Sequence, residues 1–315
     1  MKIHKKCIKV TSKSFSNHPI LKKELLDIFP NSIFNQDKLI EGSINIVDFL
    51  KDADGIILGL EDIDKKVLRK LKNLKIIAKY GVGLDNLDVN AAKDLGIRIG
   101  WTPGTNKRSV SEQTLGFLLG LSRNIFFSSF LLKKGVWEKK GGDLLTKKTV
   151  GIIGCGNIGT DLIKILKPFN CKVLINDILD KSELVRKYGV FQVSLDKLIV
   201  ESDFLTIHVP LTDLTKNMVN RVFLKKMKSS AFLVNISRGP VVNQNDLKNA
   251  LEKKIIAGAA LDVFESEPPN DLEFISLPNL MLTPHIGGNA NEAIIAMGRS
   301  AINHLVKFFE DDWKK

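Results

Sequence analysis

Cysteine, tyrosine and long apolar runs are all scarce in this chain of 315 residues, and each scarcity removes a class of protein. The three cysteines, Cys7, Cys155 and Cys171, show no metal-ligand clustering. That is ordinary reduced usage, so neither a disulfide scaffold nor a bound metal is expected. No apolar run reaches the about 20 residues that a membrane span requires. The start, Met1 to Cys7, is charged but lacks an apolar segment and a small-residue cleavage site. No secretory leader is therefore expected, and a cytoplasmic location is. Only two tyrosines are present, and basic residues do not alternate with aromatic ones. Nucleic acid is thus not an expected partner, although the net charge is +12. The lysines are spread through amphipathic stretches such as Lys65-Lys66-Val67-Leu68-Arg69-Lys70-Leu71-Lys72. They read as a solvated basic surface that would attract anionic small molecules.

What is present fits two domains of ordinary size. Hydrophobic residues make up 44% of the chain, enough for two cores. No repeat or low-complexity linker interrupts them. Up to about residue 100, short β-branched runs alternate with helical patterns. Strands are predicted at 7–11, 55–58, 75–78 and 97–99, and helices at 20–28, 64–71 and 89–95. This alternation implies a parallel sheet with helices on both faces. A helix predicted over 109–122 is apolar on more than one face, which suggests burial at a domain or subunit junction. A second α/β region follows, with strands predicted at 149–153, 172–176, 204–207, 231–235, 257–261 and 280–282. A terminal helix is predicted over 292–309.

Within that second region stands Gly154-Cys155-Gly156-Asn157-Ile158-Gly159. With 23 glycines in the chain, three at this spacing mean little alone. The context adds weight: an apolar strand precedes the motif, helical spacing follows from Ile158, and a second strand ends at Asp177. The first glycine allows a tight turn, the second a close approach to pyrophosphate, and the third close helix packing. The helix N-terminus then faces the phosphates. Asp177 would accept hydrogen bonds from the adenosine ribose and repel a 2′-phosphate, which favours NAD over NADP. Lys181, four residues on, weakens that preference.

In doubly wound sheets, ligands lie beyond the carboxyl ends of the strands. The polar residues directly after predicted strands are His208, Ser237-Arg238-Gly239, Asp262 and His285. A proton donor to a carbonyl needs a group titrating near neutrality, which histidine supplies. His4, His18 and His304 read as structural, leaving His208 and His285. Glu265 and Glu267 both fall in the loop after the Asp262 strand, so either could approach His285 and favour its imidazolium.

These residues are recognisable. The chain resembles the D-isomer-specific 2-hydroxyacid dehydrogenases over essentially its full length. The glycine motif carries the resemblance, together with five further blocks in the family's order. These are Gly81-Val82-Gly83-Leu84-Asp85-Asn86, His208-Val209-Pro210-Leu211-Thr212, Asn235-Ile236-Ser237-Arg238-Gly239, Ala260-Leu261-Asp262-Val263-Phe264-Glu265-Ser266-Glu267-Pro268 and Thr283-Pro284-His285-Ile286-Gly287-Gly288.

The resemblance implies an α/β protein of two doubly wound parallel-sheet domains. A Rossmann NAD-binding domain would span 101–288. A smaller, flavodoxin-like substrate domain would combine 1–100 with 289–315, and closure of the two would exclude water. Arg238 would bind the substrate carboxylate, His285 would be the acid/base and Glu267 its partner. Val82 and Gly83 would hold the carboxylate through their backbone. Gly154, Gly156, Asn157, Ile158, Gly159, Asp177, His208, Pro210, Thr215 and Asp262 would touch NAD, with Asp262 near the carboxamide. A homodimer is implied as well.

Glu267 speaks against the formate dehydrogenase branch, which has glutamine there. Lys79-Tyr80 before the Gly81 loop looks most like short phosphoglycerate dehydrogenase-like members, although Tyr80 replaces a small residue. A phosphorylated hydroxy acid is therefore slightly favoured as substrate over glyoxylate, hydroxypyruvate or D-lactate. Lys79 would be its cation, or simply a surface lysine. The competing reading is a non-catalytic NAD-sensing protein. No regulatory domain is expected after the last helix.

Overall fold

The computed structural model describes residues 3–35 and 45–311. The chain divides into two compact units, Met1–Asn106 with Asn289–Lys315, and Lys107–Gly288.

The first unit is built on five parallel strands: β1 (Ile8–Val10), β2 (Ile33–Phe34), β3 (Gly55–Leu58), β4 (Ile76–Lys79) and β5 (Arg98–Gly100). Their order, β2-β1-β3-β4-β5, is the flavodoxin-like arrangement. Every residue of β1, β3 and β4 is buried, as expected for strands covered on both faces. Alternating side chains feed two cores. Ile57, Ile76 and Ala78 pack under Leu21 and Leu25 of the helix Pro19–Ile28 and under Met297, Ala301 and Leu305 of the terminal helix. Ile56, Leu58 and Ile77 face Leu50, Leu68 and Ala92 instead.

The terminal helix, Asn291–Asp311, is thus an integral wall of this unit. Arg299 adds a two-pronged ion pair to Glu24 across that wall, at 2.7 and 3.1 Å. The helix predicted over 64–71 is only Lys65–Leu68; the Asp64 carboxylate caps its start, accepting from the Val67 amide at 2.8 Å, and the buried Leu71 that prolonged the pattern lies beyond its end.

The second unit carries seven parallel strands: β6 (Thr149–Ile153), β7 (Lys172–Asn176), β8 (Phe191–Gln192), β9 (Phe204–Ile207), β10 (Phe232–Asn235), β11 (Gly258–Leu261) and β12 (Leu280–Leu282). The order is β12-β11-β10-β9-β6-β7-β8. Counted within the unit, that is the Rossmann order 3-2-1-4-5-6 extended by one strand. The direction of winding reverses between β6 and β9, so a crevice for a ligand opens at their carboxyl ends.

The helix predicted from residue 109 runs Lys107–Ser122. Its apolar faces are used within this unit. Val110, Phe117 and Leu118 are buried in this unit's own core, with Leu162 and Ile163 of the glycine-loop helix and Val150 and Ile152 of β6. The exposed apolar residues lie on the next helix, Ile125–Lys133, which the sequence reading did not single out.

Candidate active site

The glycine loop connects β6 to the helix Asn157–Leu166, and each glycine answers to a different neighbour. Gly154 has φ +90°, and a Cβ there would lie 2.8 Å from the His208 carbonyl. A Cβ on Gly159 would lie 2.3 Å from the Gly154 carbonyl, so the helix could not pack this closely on its own loop. Gly156 caps the helix without a side chain, and a Cβ there would meet nothing within 4 Å. Open space therefore lies beside Gly156 at the start of the helix, whose first-turn amides have no partner one turn back. That is a cradle for an anion such as pyrophosphate.

Asp177 follows β7 and accepts from the Cys155 amide at 2.7 Å and the Leu179 amide at 2.9 Å. His208 follows β9. Its Nε2 pairs with Thr206 Oγ1 at 3.0 Å, and its buried Nδ1 has no partner among the described residues. Burial pushes its pKa down to about 3, so it stays neutral and cannot serve as an acid near pH 7. A buried, unpartnered ring nitrogen beside an open glycine cradle fits a bound dinucleotide. Thr215 donates to the Pro210 carbonyl at 2.6 Å and accepts from the Thr212 amide at 2.8 Å, fixing the loop after His208.

Three further strand ends bring the acid–base groups together. After β12, His285 adopts φ +53°, a left-handed conformation that costs a non-glycine residue energy. Its Nδ1 meets Glu267 Oε2 at 2.7 Å, while Glu267 Oε1 accepts from the Phe264 amide at 3.1 Å. Between the two carboxylates left open by the sequence, Glu267 is therefore the ring's partner. The Glu267 hydrogen bond raises the His285 pKa, against the opposing effect of burial, and so favours the imidazolium. Burial alone would raise the Glu267 carboxyl, but hydrogen bonds from His285 and Phe264 and the positive field of Arg238 outweigh it, and its pKa is lowered.

Arg238 follows β10. Asn235, 1% exposed, staples that turn: its Nδ2 donates to the Arg238 carbonyl at 2.9 Å and its Oδ1 accepts from the Ser237 amide at 3.1 Å. Gly239 comes next because a Cβ would lie 1.9 Å from the Phe264 carbonyl. The arginine turn is thereby pressed against the loop that carries Glu267.

Asp262 anchors the turn around His285 through its carboxylate. Oδ1 accepts from Gln113 Nε2 (2.9 Å), Thr283 Oγ1 (2.6 Å) and the Ile286 amide (2.8 Å), and Oδ2 accepts from the Gly287 amide at 2.8 Å. At 1% exposure, the carboxylate is a buried hub that holds the turn around His285. Ser109 adds a 2.6 Å bond to the Gly287 carbonyl. The sequence reading missed Gln113 and Ser109 and gave no role to Thr283 and Asn235, because their roles depend on partners far away in the chain or on an unremarkable polar residue in a turn.

In the first unit, the Gly81 turn follows β4, with Gly81 at φ +132°. Trp101 Nε1 donates to the Val82 carbonyl at 3.0 Å, which fixes the turn that also holds Gly83. Lys79 is not a surface lysine. It is 5% exposed, and its ammonium donates to the Gly59 carbonyl and, at 2.7 Å, to Asn86 Oδ1. It ties the ends of β3 and β4 together. Tyr80 also points inward, packing edge-on against Phe15 with ring centroids 5.5 Å apart, so its size is a matter of core packing.

Comparison with known proteins agrees with this geometry. Residues 115–287 match the D-isomer specific 2-hydroxyacid dehydrogenase, NAD binding domain family. Hydroxypyruvate reductase of Thermotoga maritima is 38% identical over 258 residues, 80% of this chain and 83% of that protein. Glyoxylate reductase of Pyrococcus furiosus is 37% identical over 84% of this chain and 81% of its own length. D-3-phosphoglycerate dehydrogenase of Methanocaldococcus jannaschii is 36% identical over 83% of this chain, but the match spans only 51% of that longer protein. Among solved structures, D-lactate dehydrogenase of Aquifex aeolicus, in complex with NAD and lactic acid, superposes with a TM-score of 0.86 at 26% identity, covering 98% of this chain and 96% of that one. With its paired parallel sheets, open glycine cradle and histidine–carboxylate pair, the chain belongs to the D-isomer-specific 2-hydroxyacid dehydrogenase family and is an NAD-dependent oxidoreductase acting on hydroxy or keto acids.

Proposed function

We propose that this enzyme reduces a small, unphosphorylated 2-keto acid, of the glyoxylate or hydroxypyruvate type, to the D-2-hydroxy acid. The observation that carries the reading is the 2.7 Å His285–Glu267 pair beside the Arg238 turn. The Arg238 guanidinium offers two parallel donors to the substrate carboxylate and polarises the adjacent carbonyl. His285 keeps Nδ1 on Glu267 and delivers the Nε2 proton to the carbonyl oxygen. NADH, when bound by the glycine cradle, supplies the hydride for C2. Proton and hydride together account for both hydrogens added. Asp177 favours NADH over NADPH, and Asp262 acts by holding the His285 turn.

Two observations weigh against a phosphorylated substrate. The cation considered for the phosphate, Lys79, is buried and engaged with Gly59 and Asn86. Two of the relatives described above carry the names hydroxypyruvate reductase and glyoxylate reductase. A homodimer and a cytoplasmic location belong to the same proposal. The dimer is supported by exposed apolar residues on Ile125–Lys133, and the location by three free cysteines.

NADH oxidation with glyoxylate, hydroxypyruvate, pyruvate and 3-phosphohydroxypyruvate tests the reading. The first two should exceed the phosphorylated acid in kcat/KM by about tenfold or more. His285→Ala should lower kcat by roughly 10²–10⁴, and Arg238→Ala should raise KM as well as lower kcat. A preference for 3-phosphohydroxypyruvate would refute the substrate class. Absence of turnover with every acid, despite NADH binding, would favour a nucleotide-sensing role.

A further inference from the structure

The residues around Asp177 carry a feature that the preference for NADH does not explain. Lys181 Nζ lies 3.5 Å from Asp177 Oδ2, with side chains only 17% and 11% exposed. The lysine is held there. Its backbone amide donates to Gln192 Oε1 at 2.8 Å, and Gln192 Nε2 donates to the Leu179 carbonyl at 2.9 Å. One side chain at the end of β8 thus clips both sides of the loop that returns Lys181 to the carboxylate. The neighbouring acid, Asp180, is turned to another use, accepting from the Ser182 amide and hydroxyl. Asp177 itself is oriented by the Cys155 and Leu179 amides, which fix where the ribose would meet it.

We propose that Lys181 is a cofactor-specificity residue that makes the ribose site tolerant of a 2′-phosphate, so that the enzyme binds NADPH as well as NADH, with NADH the tighter. An unpaired carboxylate at the end of the second strand excludes NADPH by repelling its 2′-phosphate. Here the negative charge arrives with an ammonium already beside it. A ribose hydroxyl can donate to Asp177 while the pair stays intact. A 2′-phosphate can take the ammonium from Asp177, which still has its two backbone donors. The exchange trades one ion pair for another, in place of adding an uncompensated repulsion. This inference rests on the reading of the glycine loop as the dinucleotide site, and it goes further by assigning selectivity to one side chain.

The test is equilibrium titration of the protein with NADH and with NADPH, followed by nucleotide fluorescence with no keto acid present. The readout is the ratio of the two dissociation constants, which cancels any general effect on folding. The wild-type ratio should favour NADH by less than about tenfold. In Lys181→Gln the ratio should rise by about tenfold or more, and in Lys181→Arg it should return toward wild type. Asp177→Asn should move the ratio the other way, toward NADPH. A wild-type preference for NADH of about tenfold or more, or a ratio unchanged in Lys181→Gln, would overturn the inference while leaving the dinucleotide site standing. If neither nucleotide bound the wild-type protein, the site itself would be refuted, and the inference with it.

Discussion

His285 and Glu267 shift each other in opposite directions, and the sign of each shift determines the pH behaviour. In the proposed reduction His285 is the acid and must be the imidazolium. Because the Glu267 carboxylate raises the His285 pKa, the proton is retained to higher pH than on an ordinary histidine. Reductive kcat should therefore hold through neutrality and fall as pH rises through the raised value. Oxidation of the hydroxy acid needs the neutral ring and should rise over that same window. Glu267→Gln keeps a hydrogen-bonding group near Nδ1 but removes the charge, so both transitions should move to lower pH, with kcat reduced. Profiles of both directions superimposing on wild type would sink the dyad. At this scale the sequence brought Arg238 and His285 into view, because a turn residue with a reactive side chain stands out after an apolar strand, whereas only the resemblance separated Glu267 from Glu265 before the 2.7 Å contact with His285 did. The sequence did not show what Asp262 and Lys79 bind within the fold, nor that Lys79 is buried. Their partners, Gln113 and Thr283 in one case and Gly59 and Asn86 in the other, are joined to them only by the fold.

The three glycines of the β6 loop look alike in sequence but do different things to the element they begin. A methyl group at Gly159 would press into the Gly154 carbonyl and lift the helix from β6, an overpacking that costs about 1–3 kcal/mol. A methyl group at Gly156 meets no protein atom and only fills the cradle. Gly159→Ala should thus lower both Tm and NADH affinity, whereas Gly156→Ala should weaken NADH binding at nearly unchanged Tm. Calorimetry paired with nucleotide titration distinguishes them, and equal loss of Tm in both variants would contradict the division of labour. Element reading succeeds where burial is two-sided: β3, β6 and β9 show as short, predominantly apolar runs. It fails for β2 and β8, two residues each, where a partner strand rather than local pattern makes the strand. The overlong prediction at 64–71 has a similar origin, since Leu71 and Leu74 are buried by tertiary packing after the helix has ended.

The second unit keeps an apolar surface that its own core does not use. On the helix Ile125–Lys133, Phe126 and Phe130 lie one turn apart, and both are more than two-fifths exposed, as are Ile125 and Leu132. Trp137, just beyond, is 74% exposed. Helical residues at this spacing share a face, and each aromatic side chain can cover about 150–250 Å² when buried. Contiguous exposed apolar side chains of this kind mark an interaction site, and a stable interface needs roughly 1,200–2,000 Å² in all. A second copy presenting the same helix would double the buried apolar area through two-fold symmetry, since each residue contributes twice. Light scattering at micromolar concentration should therefore give a particle of twice the 35.1 kDa chain mass. The double substitution Phe126→Asp with Phe130→Asp should shift it to a monomer with unchanged far-UV circular dichroism, because neither ring belongs to the buried core. A wild-type monomer under these conditions, or a variant that stays dimeric, would remove this helix from the interface.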